Sequence, residues 1–431
     1  MGRIAAAECV ARGGGRDGVA CAGGRCERRG LTNGVTLVFA AACGLSVANI
    51  YYAHPLLDAM ARDLGVDPGS IGIVVTLTQV GYALGLIFVV PLGDLVDRRR
   101  LVVGQGVASA FALGVIATAR TPAVFLVAMS LVGLLAVAVQ VLVSFAATLA
   151  APEARGRVVG RVTGGVVVGI LAARVVAGVL ADLGGWRAVY LTSAVCTLGM
   201  AGLLHRVLPA ERDAKPVATG YVGLLRSMLG LFRREPVLRV RAVLALLIFA
   251  AFSTLWTSLV FPLAGPPRSL SHTEVGLFGL VGLMGALAAG GAGRLADRGL
   301  GRWTTGTSLA LLVASWALIA ALPRSIPSLV AGVLLLDLAV QAVHVTNQSV
   351  IFGLGAEARS RLVGGYMVFY SVGSAVGASA STAAYARAGW PGVCVLGATF
   401  SAAALVFWAG TLRVDAGRAG AGRQNGTTRP S

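Results

Sequence analysis

The 431-residue chain is 56% hydrophobic and 13% charged, about half the charged share of an ordinary soluble domain, which argues against a water-soluble enzyme. Glycine numbers 59 while aromatics stay at 6%, the balance expected of helices that pack through small side chains. The formal charge of +18 would suit nucleic acid if it were clustered, but the arginines and the single lysine, Lys215, fall almost wholly between apolar runs, so no nucleic-acid partner is expected.

Residues 1–30 are rich in glycine and arginine and lack the apolar core of a secretory signal, so they read as a disordered cytoplasmic tail or as residues ahead of the true start. Twelve stretches of about 20 apolar residues follow, each long enough to cross the hydrocarbon layer as a helix. Their limits are 31–52, 70–91, 101–119, 123–150, 160–181, 186–207, 241–262, 272–293, 303–322, 327–351, 363–384 and 390–412, numbered here as spans 1 to 12. A β-barrel would instead show period-two alternation over about ten residues, which runs such as LVAGVLLLDLAVQAV lack. The chain thus divides into a first six-helix bundle (31–207), a basic linker (208–240) with a surface helix near YVGLLRSMLGLF, a second bundle (241–412) and a disordered cytoplasmic tail (413–431). Both termini and the loops after spans 2, 4, 6, 8 and 10 hold 29 of the 36 basic residues, so both ends are expected in the cytoplasm of a multi-pass inner-membrane protein.

Polar residues inside spans are costly in lipid, so each is a candidate for function. Asn49, Tyr51, Tyr52 and His54 end span 1, Gln79 lies in span 2, Gln140 and Ser144 in span 4, and Trp256 in span 7. Arg174 is the one basic residue well inside a span. It sits beside a ridge of small residues, Gly165, Gly169, Ala173, Ala177 and Ala181. Two readings are open for it: an anion-binding or ion-pairing group, or a side chain that snorkels to the interface. In span 10, Asp337, Gln341, His344, Asn347 and Gln348 fall on one face of a helix. That stripe reads as a cavity wall, with Asp337 taking and releasing a proton, His344 as relay or tuner, and Gln341, Asn347 and Gln348 as cavity or gate residues. The alternative is a structural hydrogen-bond cluster between helices. His205 and His272 lie at span boundaries and are assigned no role. The cysteines have no CxxC spacing and the four histidines are scattered, so no metal site is expected.

The chain also repeats itself. GDLVDR (93–98) matches GRLADR (293–298) at an offset of 200, while EARGRVVG (153–160) matches EARSRLVG (357–364) and GW (185–186) matches GW (389–390) at 204. Arg174 falls opposite Ala378 in this repeat and breaks its symmetry.

Over nearly all of residues 31–412 the chain resembles the major facilitator superfamily. The resemblance is carried by Gly93, Leu95, Asp97 and Arg98 in the loop between spans 2 and 3, and by Gly293, Leu295, Ala296, Asp297 and Arg298 in its second copy. Arg100 and Leu101 depart from the family's Gly-Arg in the first copy. ANIYYAHPLL (48–57) and NQSVIFGLGAEARSRLVGGYMVFY (347–370) look like a bacterial branch of drug and metabolite exporters. The resemblance implies an all-α membrane fold of twelve helices in two pseudo-symmetric halves. It also implies a cavity lined by spans 1, 4, 7 and 10, and loop residues Gly93, Asp97, Arg98, Gly293, Asp297 and Arg298 that latch one face shut. The Arg-x-x-Gln-Gly and Gly-Pro motifs of proton-coupled drug antiporters are missing from spans 4 and 5.

The only lysine, Lys215, stands between Ala214 and Pro216, so there is no Walker loop, and no HExxH or GxSxG centre is present either. The expected function is therefore not enzymatic. It is secondary active transport by a monomer, energised by the proton gradient without a cofactor, in which a small organic molecule is exported against protons by alternating access. The alternatives are a proton symporter importing an organic acid or metabolite, with Arg174 on the carboxylate, and a non-transporting membrane sensor.

Overall fold

In a computed structural model the described residues are 19–22, 25–28, 32–151, 154–209, 220–288, 291, 295, 298, 300–352, 354 and 359–424. Among them nine helices are long and apolar enough to cross a membrane. Two of these are pairs joined through a kink. Arg155–Val207 breaks at Gly184–Gly185, and Arg359–Gln424 breaks at Gly389. With the shorter helix His272–Ala288 at the place of span 8, the helices follow the order of the twelve expected spans. A two-stranded antiparallel hairpin, β1 (Val19–Ala22) and β2 (Arg25–Arg28), precedes them.

The repeated Gly-Trp pair explains the two kinks. Gly185 (φ 74°) and Gly389 (φ 60°) adopt left-handed backbone, which favours a residue without a side chain. The tryptophan that follows each then anchors the turn. Trp186 Nε1 donates to Asp63 at 3.0 Å, and Trp390 Nε1 donates to the Ile319 carbonyl at 3.0 Å. The helix at span 3, Arg98–Thr118, begins where the Asp97 carboxylate accepts from the Arg99 amide at 2.8 Å, an N-cap that the dipole also favours.

Glycine abundance also has a packing cause. A Cβ on Gly165 or Gly169 would collide with the backbone of Ala40 or Gly44 in span 1. One on Gly373 or Gly377 would collide with Leu246 or Ala250 in span 7. Spans 5 and 11 therefore lie backbone against backbone on spans 1 and 7, the contact small residues permit in lipid. The outer surface of the spans is apolar, with Phe111 72% and Val127 70% exposed, as a hydrocarbon surround requires.

The two halves meet along two seams that the repeat relates, span 2 against span 11 and span 5 against span 8. Both seams close at the face away from the chain termini, here the distal face. On the other, proximal face, the linker helix Gly220–Arg234 touches both halves. Tyr221 Oη donates to the Phe88 carbonyl at 2.8 Å at the end of span 2. Ser227 accepts from Arg361 at 2.8 Å, and Phe232 stacks on Phe369 with centroids 5.4 Å apart.

Candidate functional site

Between the halves lies a cluster built from spans 1, 5, 7 and 10. Arg174 of span 5 is 2% exposed, and its guanidinium carbon lies 3.6 Å from the centre of the Trp256 ring of span 7. Tyr51 and Phe252 complete an aromatic cage at 5.4 and 5.9 Å. The edge of the same indole donates from Nε1 to Asp337 Oδ1 at 3.2 Å. One tryptophan thus meets a cation of the first half with its face and a carboxylate of the second with its edge. Gly282 of span 8 makes room, since a Cβ there would strike the Asp337 carboxylate.

The electrostatics of this cluster are incomplete. Among the described residues no carboxylate comes within ion-pair distance of Arg174, and its Nε and Nη2 have no hydrogen-bond partner. A desolvated cation–π contact is worth about 2 kcal/mol, whereas an unpaired buried charge costs several kcal/mol. The cage therefore compensates only part of the burial, and the two free N–H groups are available to an acceptor from outside the chain.

A second polar cluster lies towards the proximal face. Tyr51 Oη and Tyr370 Oη share a hydrogen bond of 2.6 Å across the halves, and Phe249 stands edge-on between Tyr370 (4.0 Å) and His344 (5.2 Å). His344 Nδ1 bonds Tyr366 Oη at 2.8 Å, and Arg241 donates to Asn347 at 3.1 Å. Asp337 and His344 share the stripe on span 10, yet each belongs to a different cluster.

The other candidates are spread more widely. Arg174, Trp256 and Asp337 come together. Asn49 turns instead to span 6, where it accepts from Ser193 at 2.6 Å, and Tyr52 meets Tyr190 of the same span edge-on. Gln140 donates to Tyr82 at 3.3 Å, joining spans 4 and 2. Gln79 is buried with its Oε1 unpartnered, while Gln341 and Gln348 are half-buried. In the first loop copy, Arg98 ties Gly93 (2.9 Å) and Thr148 of span 4 (2.9 Å). A Cβ on Gly93 would meet only ordinary contacts from 3.5 Å, so close approach does not demand glycine there. In the second copy Arg298 is exposed, and Gly293 and Asp297 lie outside the described residues.

Sequence reasoning missed the lock at the distal end of the span 5–8 seam. Asp182, just past span 5, accepts four hydrogen bonds from the start of span 8. These come from the His272 amide (3.1 Å), His272 Nδ1 (3.0 Å), the Thr273 amide (2.8 Å) and Thr273 Oγ1 (2.6 Å). His272 Nε2 faces Asp58 Oδ1 of the first half at 3.4 Å, and Arg62 holds the other oxygen of Asp58 at 2.9 Å. A carboxylate on another bundle's helix N-terminus satisfies amides that the helix itself cannot. The available signal was a boundary histidine followed by threonine at a helix start, which does not identify a distant acidic partner.

The sequence profile of the Major Facilitator Superfamily matches residues 37–353 and 268–429. The chain is 44% identical over 387 residues to the uncharacterized transporter YgaY of Escherichia coli O157:H7, covering 90% of this chain and 98% of that one. It is 32% identical over 356 residues to a protein of Streptomyces coelicolor named a probable transporter, SCO4007, with 82% and 81% covered. Among solved structures, a bacterial homolog of the human lysosomal transporter Spinster, inward-facing and occupied, superposes with a TM-score of 0.71 at 14% identity, covering 88% of this chain and 96% of that one. The human organic anion transporter MFSD10 gives 0.64 at 21% identity, with 87% and 98% covered. At those identities the two structures speak for the fold alone.

Proposed function

The chain belongs to the Major Facilitator Superfamily as a multi-pass membrane transporter, and from that premise we propose that it is a proton-coupled secondary carrier of a small organic molecule, working by alternating access. It works as a monomer in the inner membrane with both termini in the cytoplasm, the side marked by 29 of its 36 basic residues, and uses no cofactor beyond the proton gradient. In that orientation the closed distal face is the external one.

One observation carries the reading: the Arg174–Trp256–Asp337 bridge between the halves. Asp337 is the proton carrier. Ionised, it draws Arg174 towards the second half through the indole between them. Protonated, it loses that attraction and the halves are freer to rock. His344, two turns nearer the proximal face and bonded to Tyr366, relays the proton. The resemblance to exporters favours outward movement of substrate against protons. A second reading, uptake together with a proton, is favoured by one specific observation, the absence among the described residues of a carboxylate within ion-pair distance of Arg174.

Everted vesicles carrying the protein, scanned with a compound panel and a pH-sensitive dye, test both. Substrate and proton moving in opposite directions give export; movement in one direction gives uptake. Asp337→Asn is expected to abolish substrate-dependent proton movement, and normal coupled movement in that variant overturns the proton role.

A further inference from the structure

We propose that the linker helix Gly220–Arg234 is a binding surface for anionic phospholipid, with headgroup phosphates held by Arg226 and Arg233 and acyl chains meeting Val222 and Leu229. The inference goes beyond the transport reading, since it concerns the proximal face and holds whichever molecule is carried. Val222, Arg226, Leu229 and Arg233 stand at i, i+4, i+7 and i+11, one stripe along a helix of 3.6 residues per turn. All four are exposed, Val222 at 59% and Leu229 at 67%. The residues that hold the helix to the two halves, Tyr221, Ser227 and Phe232, lie outside that stripe. Phe232 is seated so closely that a Cβ on Gly365 of span 11 would come within 2.6 Å of its ring.

Both ends of the helix are fixed at the level where spans leave the hydrocarbon. Val80, Leu84 and Phe88 form an exposed apolar row down span 2, and the Phe88 carbonyl at the foot of that row accepts from Tyr221. At the other end only Glu235 separates Arg234 from Pro236, the first residue of the span 7 helix. The fifteen residues, about 22 Å at 1.5 Å each, therefore run along the membrane surface.

The chemistry of the stripe selects its occupant. Water would leave two large apolar side chains uncovered, and hydrocarbon would bury two guanidinium groups. The headgroup layer satisfies both, because an arginine there reaches phosphate while its apolar neighbours reach the acyl chains. Among the described residues Arg226 and Arg233 have neither an ion pair nor a hydrogen bond. Glu235 is the only acidic residue between positions 220 and 241, and Arg234 and Arg239, also exposed, extend the positive surface. A guanidinium fork matches a phosphate, and each arginine at an anionic surface contributes about fivefold in affinity. A zwitterionic headgroup carries its own cation and gains less, while free phosphate has no chain for Val222 and Leu229.

The full-length protein in neutral detergent is titrated with phosphatidylglycerol, phosphatidylcholine and inorganic phosphate, with retained lipid counted by native mass spectrometry. Wild type is expected to bind phosphatidylglycerol about tenfold or more tighter than phosphatidylcholine, and phosphate far more weakly than either. The double variant Arg226→Gln with Arg233→Gln should lose about thirtyfold for phosphatidylglycerol, the product of two fivefold contributions. Replacing both by lysine should restore most of the affinity, which separates charge from helix damage. Val222→Ser with Leu229→Ser should weaken both lipids and leave the preference between them. As a control for diffuse charge, Arg206→Gln with Arg302→Gln removes two exposed arginines elsewhere on the proximal face and should change affinity less than twofold. In nanodiscs, thermal stability should rise with the phosphatidylglycerol fraction in wild type and not in the double glutamine variant. Equal affinity for the two lipids, an undiminished affinity in the double glutamine variant, an equal loss in the control, or phosphate binding as tight as phosphatidylglycerol overturns the proposal.

Discussion

The two seams that close the distal face are repeat mates, yet they are held by different chemistry. At the span 2–11 seam a Cβ on Gly72 would lie 2.5 Å from the Ala378 carbonyl oxygen; at the span 5–8 seam one on Gly276 would lie 2.5 Å from that of Arg174. Gly72 and Gly276, like Arg174 and Ala378, are separated by the 204-residue offset of the repeat, so the same backbone crossing occurs twice. Beyond that crossing they diverge. The span 2–11 seam is joined by neutral hydroxyls, with Thr76 Oγ1 donating to the Ala375 carbonyl at 2.9 Å and meeting Ser379 Oγ at 2.6 Å. The span 5–8 seam carries Arg174 at its centre and the Asp182–His272–Asp58 lock at its rim. Duplication thus preserved the hinge geometry while charge accumulated on one side. Under the proposed function the shared crossing would serve rocking and the charged seam binding.

The largest effect is expected where the seams agree. Gly72→Leu and Gly276→Leu each force a side chain into backbone that cannot yield cheaply, an overpacking cost of about 1–3 kcal/mol or more. Transport by vesicles is expected to fall by about tenfold or more in both. Normal flux in one variant alone would show that the crossings are not equivalent.

Where the seams differ, the charged one should respond more. Asp182→Ala removes four hydrogen bonds at the distal face. Bonds to charged groups contribute about 1.5–3 kcal/mol each when buried, but this carboxylate is 30% exposed, so solvent discounts the sum. A cysteine introduced at Val275, buried one turn past His272 behind the lock, should react with a membrane-impermeant thiol reagent about tenfold faster in the Asp182→Ala background. An unchanged rate would mean that the lock does not hold the face shut.

A smaller effect comes with pH. Protonated His272 can pair with both Asp58 and Asp182 while those carboxylates stay ionised; the contact with Asp58 raises the imidazole above its ordinary value and both carboxylates are held below theirs, so the lock should be tight while the imidazole is protonated and loosen as pH rises through that raised titration. Labelling at position 275 is expected to rise several-fold as pH is increased from acid through the raised imidazole titration. His272→Gln should flatten that profile, and a profile that survives the substitution assigns it to another group. Smallest is Thr76→Val on the neutral seam, where exchanging a hydroxyl of this kind costs about 1 kcal/mol. Its labelling rate should rise no more than about fivefold and show no pH dependence of its own.

Much of the fold was legible because its signals are local. A span needs only a run of apolar residues of sufficient length, and Gly185–Trp186 and Gly389–Trp390 mark their turns by residue type alone. Gly169 belonged to a ridge visible at steps of four, and it is where spans 5 and 1 touch. Parts of the cluster were visible too, because an arginine or an aspartate inside an apolar run stands out whatever it faces. Direction was harder. Span 1 is buried along most of its length, so nothing in its pattern says that Asn49 and Tyr52 turn to span 6 while Tyr51 turns to Tyr370.

What the sequence determined by itself, then, is an all-helical membrane fold, the order of its apolar rods, the repeat within them, and which polar residues fall inside apolar runs. Those properties depend on composition within about 20 residues and on a repeat that can be aligned to itself. Only the tertiary structure decided that Trp256 stands between Arg174 and Asp337, and that His272 closes on Asp182 and Asp58. Each of those contacts joins residues far apart in the chain. Their geometry is set by the rotation of one helix against another, a degree of freedom that hydropathy does not encode.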